Sequence, residues 1–403
     1  MRGLTSDEAA AVEMAAGAPM LGQVEDWARI NSGSANLDGL ARMAERLADA
    51  FSALPGKLSL EAAAAVEAVE PNGRLRPLPH GRNLHLTVRP EAPFQVLLTG
   101  HMDTVYGADH PFQRLEWLGA KVLRGPGVAD MKGGLAVMLA ALKAVEASPS
   151  AERIGYEVVI NSDEEVGSPG SAALIARAAA GKVAALTYEP AALPDGTLAG
   201  ARPGSGNFSL VVTGRSAHAG RNPEEGRNAL VAAAELAVRL DGARRAGLSV
   251  NPARIEGGGP NNVVPDHAIL RINMRPRTLD DQRAAQAALA EAVAAVAEAR
   301  DVRITMHGGF GRPPKPLDPA AERLFELVRS CGAKLGQAIA WRDTGGVCDG
   351  NNIAACGVPV VDTMGARGGA IHSPEEYLIV DSLAERARLS ALTLLRLAEG
   401  EAL

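Results

Sequence analysis

Apolar and polar positions follow two different rhythms along this 403-residue chain. In the first half, short continuous apolar runs such as FQVLLTG (Phe94 to Gly100), YEVVI (Tyr156 to Ile160) and KVAALTY (Lys182 to Tyr188) read as strands buried on both faces. Longer stretches with helical spacing follow them: MKGGLAVMLAALKAVEA after the first and SAALIARAAA after the second. VPVVDTM (Val358 to Met364) is a later strand of the same kind. Strands alternating with helices predict an α/β unit with a mostly parallel sheet flanked by helices. From about Gly200 to Gly311 the order becomes strand, helix, strand, strand, helix, strand, which predicts an inserted ferredoxin-like α+β unit. The Pro/Gly-rich joints GARPGSG and GGFGRPPKPLDP flank it. The predicted division is a discontinuous domain of residues 1–200 and 312–403, with residues 201–311 as the insertion.

Composition narrows the function classes. A net charge of −6, with 3% aromatic residues and no basic run, argues against nucleic-acid binding. No window is apolar for long enough to span a membrane, and the alanine-rich start carries acids where a secretory signal needs an uninterrupted apolar core. Cys331, Cys348 and Cys356 are odd in number and lack CxxC spacing, so a disulfide framework and a thiolate zinc site are both disfavoured. The expectation is a cytoplasmic protein.

The strand ends carry the chemistry. FQVLLTG is followed by His101 and Asp103, YEVVINS by Asp163, Glu164 and Glu165, and KVAALTY by Glu189. VPVVDTM leads through a glycine-rich loop to His372, and GPGVADMKGG puts Asp130 at a loop-to-helix junction. Ligands gather at the carboxyl ends of parallel strands. Three consecutive acids repel one another unless positive charge sits among them. Two histidines and three carboxylates without a thiolate suit zinc, with cobalt or manganese as substitutes. A single catalytic zinc takes three protein ligands, so five candidates point to two ions sharing a bridge, for which Asp130 is placed. Of the adjacent Glu164 and Glu165, one can bind metal while the other serves as general base. Asp103, two residues from His101, is positioned to accept its other ring N–H.

The segments TGHMDTV, GPGVADMKGG, SDEEVGS, YEP, GRSAHAG and IHSPEEY resemble the dinuclear zinc peptidase/deacylase family, in the family's order and from about Asp26 onward. That family includes acetylornithine deacetylase, succinyl-diaminopimelate desuccinylase, aminoacylase and bacterial glutamate carboxypeptidase. The resemblance implies that His101 and Glu189 bind one zinc and His372 and Glu165 the other. It further implies that Asp130 bridges them, Glu164 is the base and Asp103 orients His101. The inserted domain would be a lid through which the chain forms a homodimer, with His218 reaching the neighbouring subunit's site. Asn262, Arg275 and Arg312 would hold substrate, Arg275 through a carboxylate. Glu189 stands where the family's aminopeptidases tend to have Asp, which favours its carboxypeptidases and deacylases. TGGVCDGNNIA is nearest the glutamate carboxypeptidase branch, with Cys348 where that branch has Thr before Asp. The implied activity is hydrolysis of an amide next to a carboxylate, in a peptide or N-acyl amino acid.

Competing readings are an aminopeptidase or dipeptidase on the same scaffold, a non-catalytic binding protein, and a hydrolase deaminating a small aromatic or ring-opened amide. The acid pairs Glu224–Glu225 and Glu375–Glu376 are expected to be solvated. His80, His85, His110, His267 and His307 are expected to be structural or on the surface, and Cys348 a buried, unreactive thiol.

Overall fold

The computed structural model describes residues 3–401. Helices α1 (Ser6–Ala16), α2 (Met20–Ala28) and α3 (Leu37–Phe51) precede strands β1 (Lys57–Glu61), β2 (Asn83–Val88) and β3 (Phe94–His101). Then come α4 (Gly134–Glu146), β4 (Ile154–Asn161), α5 (Ala172–Ala179) and β5 (Ala184–Thr187). The insertion comprises β6 (Ser205–Thr213), α6 (Ala229–Asp241), β7 (Leu248–Gly257), β8 (His267–Pro276), α7 (Leu279–Arg300) and β9 (Arg303–Arg312). The chain finishes with α8 (Pro319–Lys334), α9 (Asp349–Ala355), β10 (Val360–Val361) and α10 (Asp381–Ala398).

The central sheet has the order β1-β2-β4-β3-β5-β10. Its last four strands are parallel, and β2 and β1 run antiparallel along one edge. Side chains alternate between two cores, as a doubly covered sheet requires. Val96, Leu98, Val158 and Ile160 join the large core under α1, α4 and α10. Leu97, Val159 and Ala185 pack instead on Leu174 and Ile175 of α5 and Ile353 of α9. Each fully buried aliphatic side chain contributes about 1.5–3 kcal/mol relative to an exposed one.

The run VPVVDTM pairs as a strand only at Val360 and Val361. Asp362 leaves the ladder to pair with Arg202 and Lys315, and the Thr363 hydroxyl accepts the Ala199 N–H at 2.9 Å.

In the inserted domain the antiparallel sheet has the order β7-β8-β6-β9, with α6 and α7 covering one face. The opposite face looks back at the domain of the central sheet, and a hairpin (residues 67–77) crosses to it. Arg271 Nη2 donates to the Val69 carbonyl at 2.8 Å, and His267 Nε2 lies 2.9 Å from the Pro71 carbonyl. Among the described residues, no helix is long and apolar enough to cross a membrane.

Candidate metal centre and base

Strand register brings the chemistry together. His101, the last residue of β3, is level with Asn161, the last of β4, and Thr99 is level with Thr187, the last of β5. Three neighbouring strands therefore end at one place, where the chain delivers Asp103, the 163–165 turn and Glu189. Glu164 and Glu165 open a single tight turn, Glu164 facing Arg312 and Glu165 facing His372. The Asp103 carboxylate holds that turn by accepting the Glu164 and Glu165 N–H groups, both at 3.2 Å, and the Ser34 hydroxyl at 2.7 Å. Its main-chain carbonyl is 3.0 Å from His101 Nδ1, closer than its own carboxylate at 3.4 Å. Asp103 thus acts on both the imidazole and the glutamate turn.

Asp130 stands between the two imidazoles. Its Oδ1 is 3.1 Å from His101 Nε2, and its Oδ2 is 3.3 Å from His372 Nε2. On the outer sides, Glu189 Oε2 is 3.8 Å from His101 Nε2 and Glu165 Oε2 is 3.1 Å from His372 Nε2. His372 takes a left-handed backbone conformation, φ +61°, the kind of strain that surrounding structure holds at functional sites. Helix α4 has no side-chain cap, so the Asp130 carboxylate is left to the histidines. Gly134, at the start of α4, lets the helix approach β5: a Cβ there would meet the Tyr188 carbonyl oxygen at 1.9 Å.

The pair Glu375–Glu376 departs from expectation. Glu375 is exposed on Arg124, but Glu376 is only 1% exposed. Its Oε1 accepts the Ala129 and Asp130 N–H groups at 3.0 Å each, and its Oε2 accepts the Gly127 N–H at 3.1 Å. The turn carrying Asp130 has three inward N–H groups that no helix or strand satisfies, and Glu376 reaches them from a segment about 250 residues away in sequence. Sequence spacing alone carries no sign of this.

The electrostatics call for a cation. Burial pushes Glu164 up to about 7 and Glu165 up to about 8, and raises Glu189 as well. For Asp130, burial is outweighed by His101 and His372, which hold it below the usual carboxylate range. Asp130 and Glu165 push His372 up to about 11. For His101, burial is outweighed by Glu189, Asp103 and Asp130, and the imidazole is raised. Positive charge held among these groups would balance the carboxylates. Glu164 Oε1 and Glu189 Oε1 are buried without a hydrogen-bond donor. Ligand atoms of His101, Asp130 and Glu165, and of His101, Glu164 and Glu189, each lie within 4.8 Å of one another. An all nitrogen-and-oxygen set of this composition fits a divalent metal.

Comparison with known proteins decides the family. Residues 97–396 match Peptidase family M20/M25/M40. Carboxypeptidase G2 of Pseudomonas sp. (strain RS-16) is 31% identical over 332 residues, covering 80% of this chain and 78% of that protein. The chain belongs to the M20 peptidase family. As an M20 protein it is a metal-dependent hydrolase. A tripeptidase of Staphylococcus aureus superposes with a TM-score of 0.72 at 22% identity, covering 94% of this chain and 98% of that one. A dinuclear metal-binding M20 peptidase of Bacillus subtilis superposes with a TM-score of 0.65 at 15% identity, covering 94% and 98%. Both likenesses are of fold.

The residues that the resemblance linked to substrate lie in different places in this M20 chain. Arg275 lines a cavity of about 870 Å³ between the inserted sheet and the metal centre. Its Nη1 donates to the Gly345 carbonyl at 3.1 Å. Arg312, at the end of β9, is buried against Glu164. Its Nη2 is 2.7 Å from Glu164 Oε1, but that nitrogen's hydrogens are aimed at the Glu164 carbonyl (2.9 Å) and Ser168 Oγ (3.0 Å). Glu164 Oε1 thus receives charge without a hydrogen bond. His218 and Asn262 are exposed on adjacent loops of the insertion, where Ala219 N donates to the Asn262 carbonyl at 2.9 Å, and neither lines the cavities at the centre.

Sequence reasoning missed the supporting charges. Arg202 lines the smaller chamber beside Glu189 and pairs with Asp362 at 2.7 Å. Asp349 accepts from Asn161 Nδ2 at 2.8 Å and from the Ser168 hydroxyl. Cys348 is buried, and burial raises its thiol well above the usual range. Its sulfur accepts the Gly350 N–H at 3.3 Å, doing as the N-cap of α9 what a Thr hydroxyl does more strongly.

Proposed function

We propose that this chain hydrolyses an amide bond next to a carboxylate, in a peptide or N-acyl amino acid, with Glu164 as general base. The observation carrying this reading is the Glu164 carboxylate: buried beside the imidazole–carboxylate cluster, with an Oε1 that faces Arg312 at 2.7 Å but accepts no hydrogen bond. Kinship with a protein named carboxypeptidase G2 supports the substrate class. His101 and Glu189 would hold one zinc ion and Glu165 and His372 the other, with Asp130 shared between them. Ions held there would supply Lewis acidity toward a water and toward the amide carbonyl. Glu164 Oε1 takes the water's proton and returns it to the departing amine nitrogen. Asp103 keeps the base and His101 in place, and Arg275 receives the substrate carboxylate.

The division of labour follows the domains: residues 1–200 and 312–403 carry the chemistry, and residues 201–311 form the lid. Leu230, Val231 and Val238 on α6 and Ile255 on β7 are exposed apolar residues on that lid, which supports pairing two lids in a homodimer. His218 and Asn262, remote from their own chain's cavities, then serve the partner's site.

Elemental analysis of active protein tests the metal count, with two ions per chain expected; one or none would sink the dinuclear reading. Glu164→Gln is expected to keep both ions and lose about 10²–10⁴-fold in kcat, whereas Glu165→Ala loses metal. The opposite pattern reverses the two roles.

A further inference from the structure

The face of the inserted sheet that looks toward the metal centre carries an asparagine ladder. Asn251 of β7 is in register with Asn273 of β8, Asn273 with Asn207 of β6, and Asn207 with Gly309 of β9. All four line the 870 Å³ cavity. Asparagine is depleted in strands, and three in one cross-strand row on one face run against local propensity. The opposite face of the same strands, Phe208, Leu210, Val250, Ile272 and Met274, is ordinary apolar core.

The row is partly bonded within itself. Arg275 Nε donates to Asn273 Oδ1 at 3.1 Å, and Asn273 Nδ2 donates to Asn207 Oδ1 at 2.8 Å. Asn207 Nδ2 and the whole Asn251 amide have no protein partner among the described residues, so the ladder offers unused donors and an acceptor to the cavity. At its far end a Cβ on Gly309 would meet nothing within 4 Å, so the space beside Asn207 is open.

Charge in the cavity is sparse. Arg312 is committed to Glu164 and Ser168, which leaves Arg275 as the cation for a ligand anion, while Glu165 adds negative character at the rim. The Arg275 guanidinium reaches Asn273 itself, so a carboxylate on it lies one strand spacing, ~4.8 Å, from Asn207 on one side and Asn251 on the other. With a carboxylate on Arg275, the terminal atoms of a side chain three or four bonds long fall on the ladder. A second anion there would face only neutral amides near an existing carboxylate. An uncharged donor–acceptor group matches them.

We infer that the ladder is a specificity subsite for an uncharged hydrogen-bonding side chain, a carboxamide, on the amino acid released by hydrolysis. This rests on the proposed amide hydrolysis and on Arg275 taking the carboxylate. The subsite ranks carboxamide side chains above carboxylate, ammonium or apolar ones of similar length.

The test is a panel of N-acyl amino acids sharing one acyl group and carrying glutamine, glutamate, lysine or norleucine, assayed with the metal-loaded protein. The expected result is a kcat/KM for the glutamine substrate at least about 10-fold above norleucine and about 5-fold above glutamate, as two neutral hydrogen bonds permit at roughly 3- to 10-fold each. Asn207→Ala and Asn251→Ala, both surface changes checked by thermal melting, should each lower the glutamine-to-norleucine ratio about 3- to 10-fold. Equal rates across the panel, glutamate above glutamine, or a ratio unmoved in both variants would overturn the subsite. If no panel member is cleaved, the failure belongs to the proposed hydrolysis. Calorimetry with free glutamine and norleucine then decides the ladder: tighter glutamine binding that both variants weaken supports it, and equal binding overturns it.

Discussion

Replacing Glu376 with alanine leaves three N–H groups of the Asp130 turn without their acceptor. A hydrogen bond to a charged partner contributes about 1.5–3 kcal/mol, and a buried donor left unsatisfied costs about 1–3 kcal/mol. With water entering the vacated space to recover part of this, Glu376→Ala should destabilise the protein by about 3–6 kcal/mol. Glutamine is the informative comparison. Because Oε1 alone serves Ala129 and Asp130, a single amide oxygen can keep two of the three bonds, and only the Gly127 N–H then faces a donor. Glu376→Gln should therefore cost only about 1–3 kcal/mol. Since the turn aims the carboxylate between His101 and His372, loosening it should also weaken metal binding by about 10- to 100-fold, the usual effect of removing an outer hydrogen-bond partner at a metal site. Urea unfolding of the metal-free protein measures the first effect and chelator competition the second. Glu375→Gln, on the exposed neighbour, is the control and should stay within about 0.5 kcal/mol of wild type. Chelator competition within twofold of wild type in Glu376→Ala would show that this carboxylate does not aim Asp130.

Two further expectations concern regions outside the centre. His85 lies 2.6 Å from both Glu61 and Glu157; its hydrogen bond to Glu157, opposed by burial and reinforced by Glu61, raises its pKa. A raised imidazole stabilises fully below its unfolded pKa and ceases to as pH rises through the folded value, so His85→Gln should cost about 1–3 kcal/mol in urea unfolding at pH 6. That deficit should shrink as pH rises through the folded value, and one that does not change with pH would mean that the imidazolium contributes nothing. His218→Ala should be fully metallated yet about 10²–10³-fold slower, and mixing it with equally slow Glu164→Gln under subunit exchange should restore up to about half of wild-type activity; exchanged heterodimers that stay inactive would exclude a role across the dimer.

What could be read from the sequence was whatever a strand end announces locally. His101, Asp103, Glu164, Glu165 and Glu189 each directly follow an apolar run, and parallel pairing puts such ends side by side without further information. The β-α-β-β-α-β rhythm of the insertion was legible for the same reason, because period-2 and period-3.6 patterns are local. The groups missed all act over long separations. Glu376 looked like any polar acid at a turn because its three partners are backbone N–H groups, which no side-chain pattern marks. Arg312 was legible as a cation near the site but not as the partner of Glu164, since its direction depends on how β9 re-enters the catalytic domain. The asparagine ladder needed the cross-strand register of three strands, which hydrophobic alternation fixes only once the strands are paired.

The two joints of the insertion constrain how the lid can move. The chain enters through Arg202 and leaves through Arg312, both buried. Just beyond the exit, Lys315 exchanges backbone hydrogen bonds with Arg202, so the two crossing segments are tied to each other. Arg202 is held by Asp362 through Nε at 2.7 Å and Nη2 at 3.1 Å, and Arg312 by Glu164 and Ser168. Breaking a buried pair by withdrawing one partner costs about 3–5 kcal/mol, so a rigid swing that pulled either arginine out would be opposed strongly. Rotation is cheaper at Gly311, which falls in the irregular step between the Asn207–Gly309 and Ser205–Arg312 pairs and where a Cβ would meet nothing within 4 Å. A pivot there would carry Arg275 and the asparagine ladder relative to the His101–Asp130–His372 cluster while Arg312 stays against Glu164. The ladder and Arg275 would then move with residues 201–311, while Arg312, on the other side of the pivot, keeps its contact with Glu164.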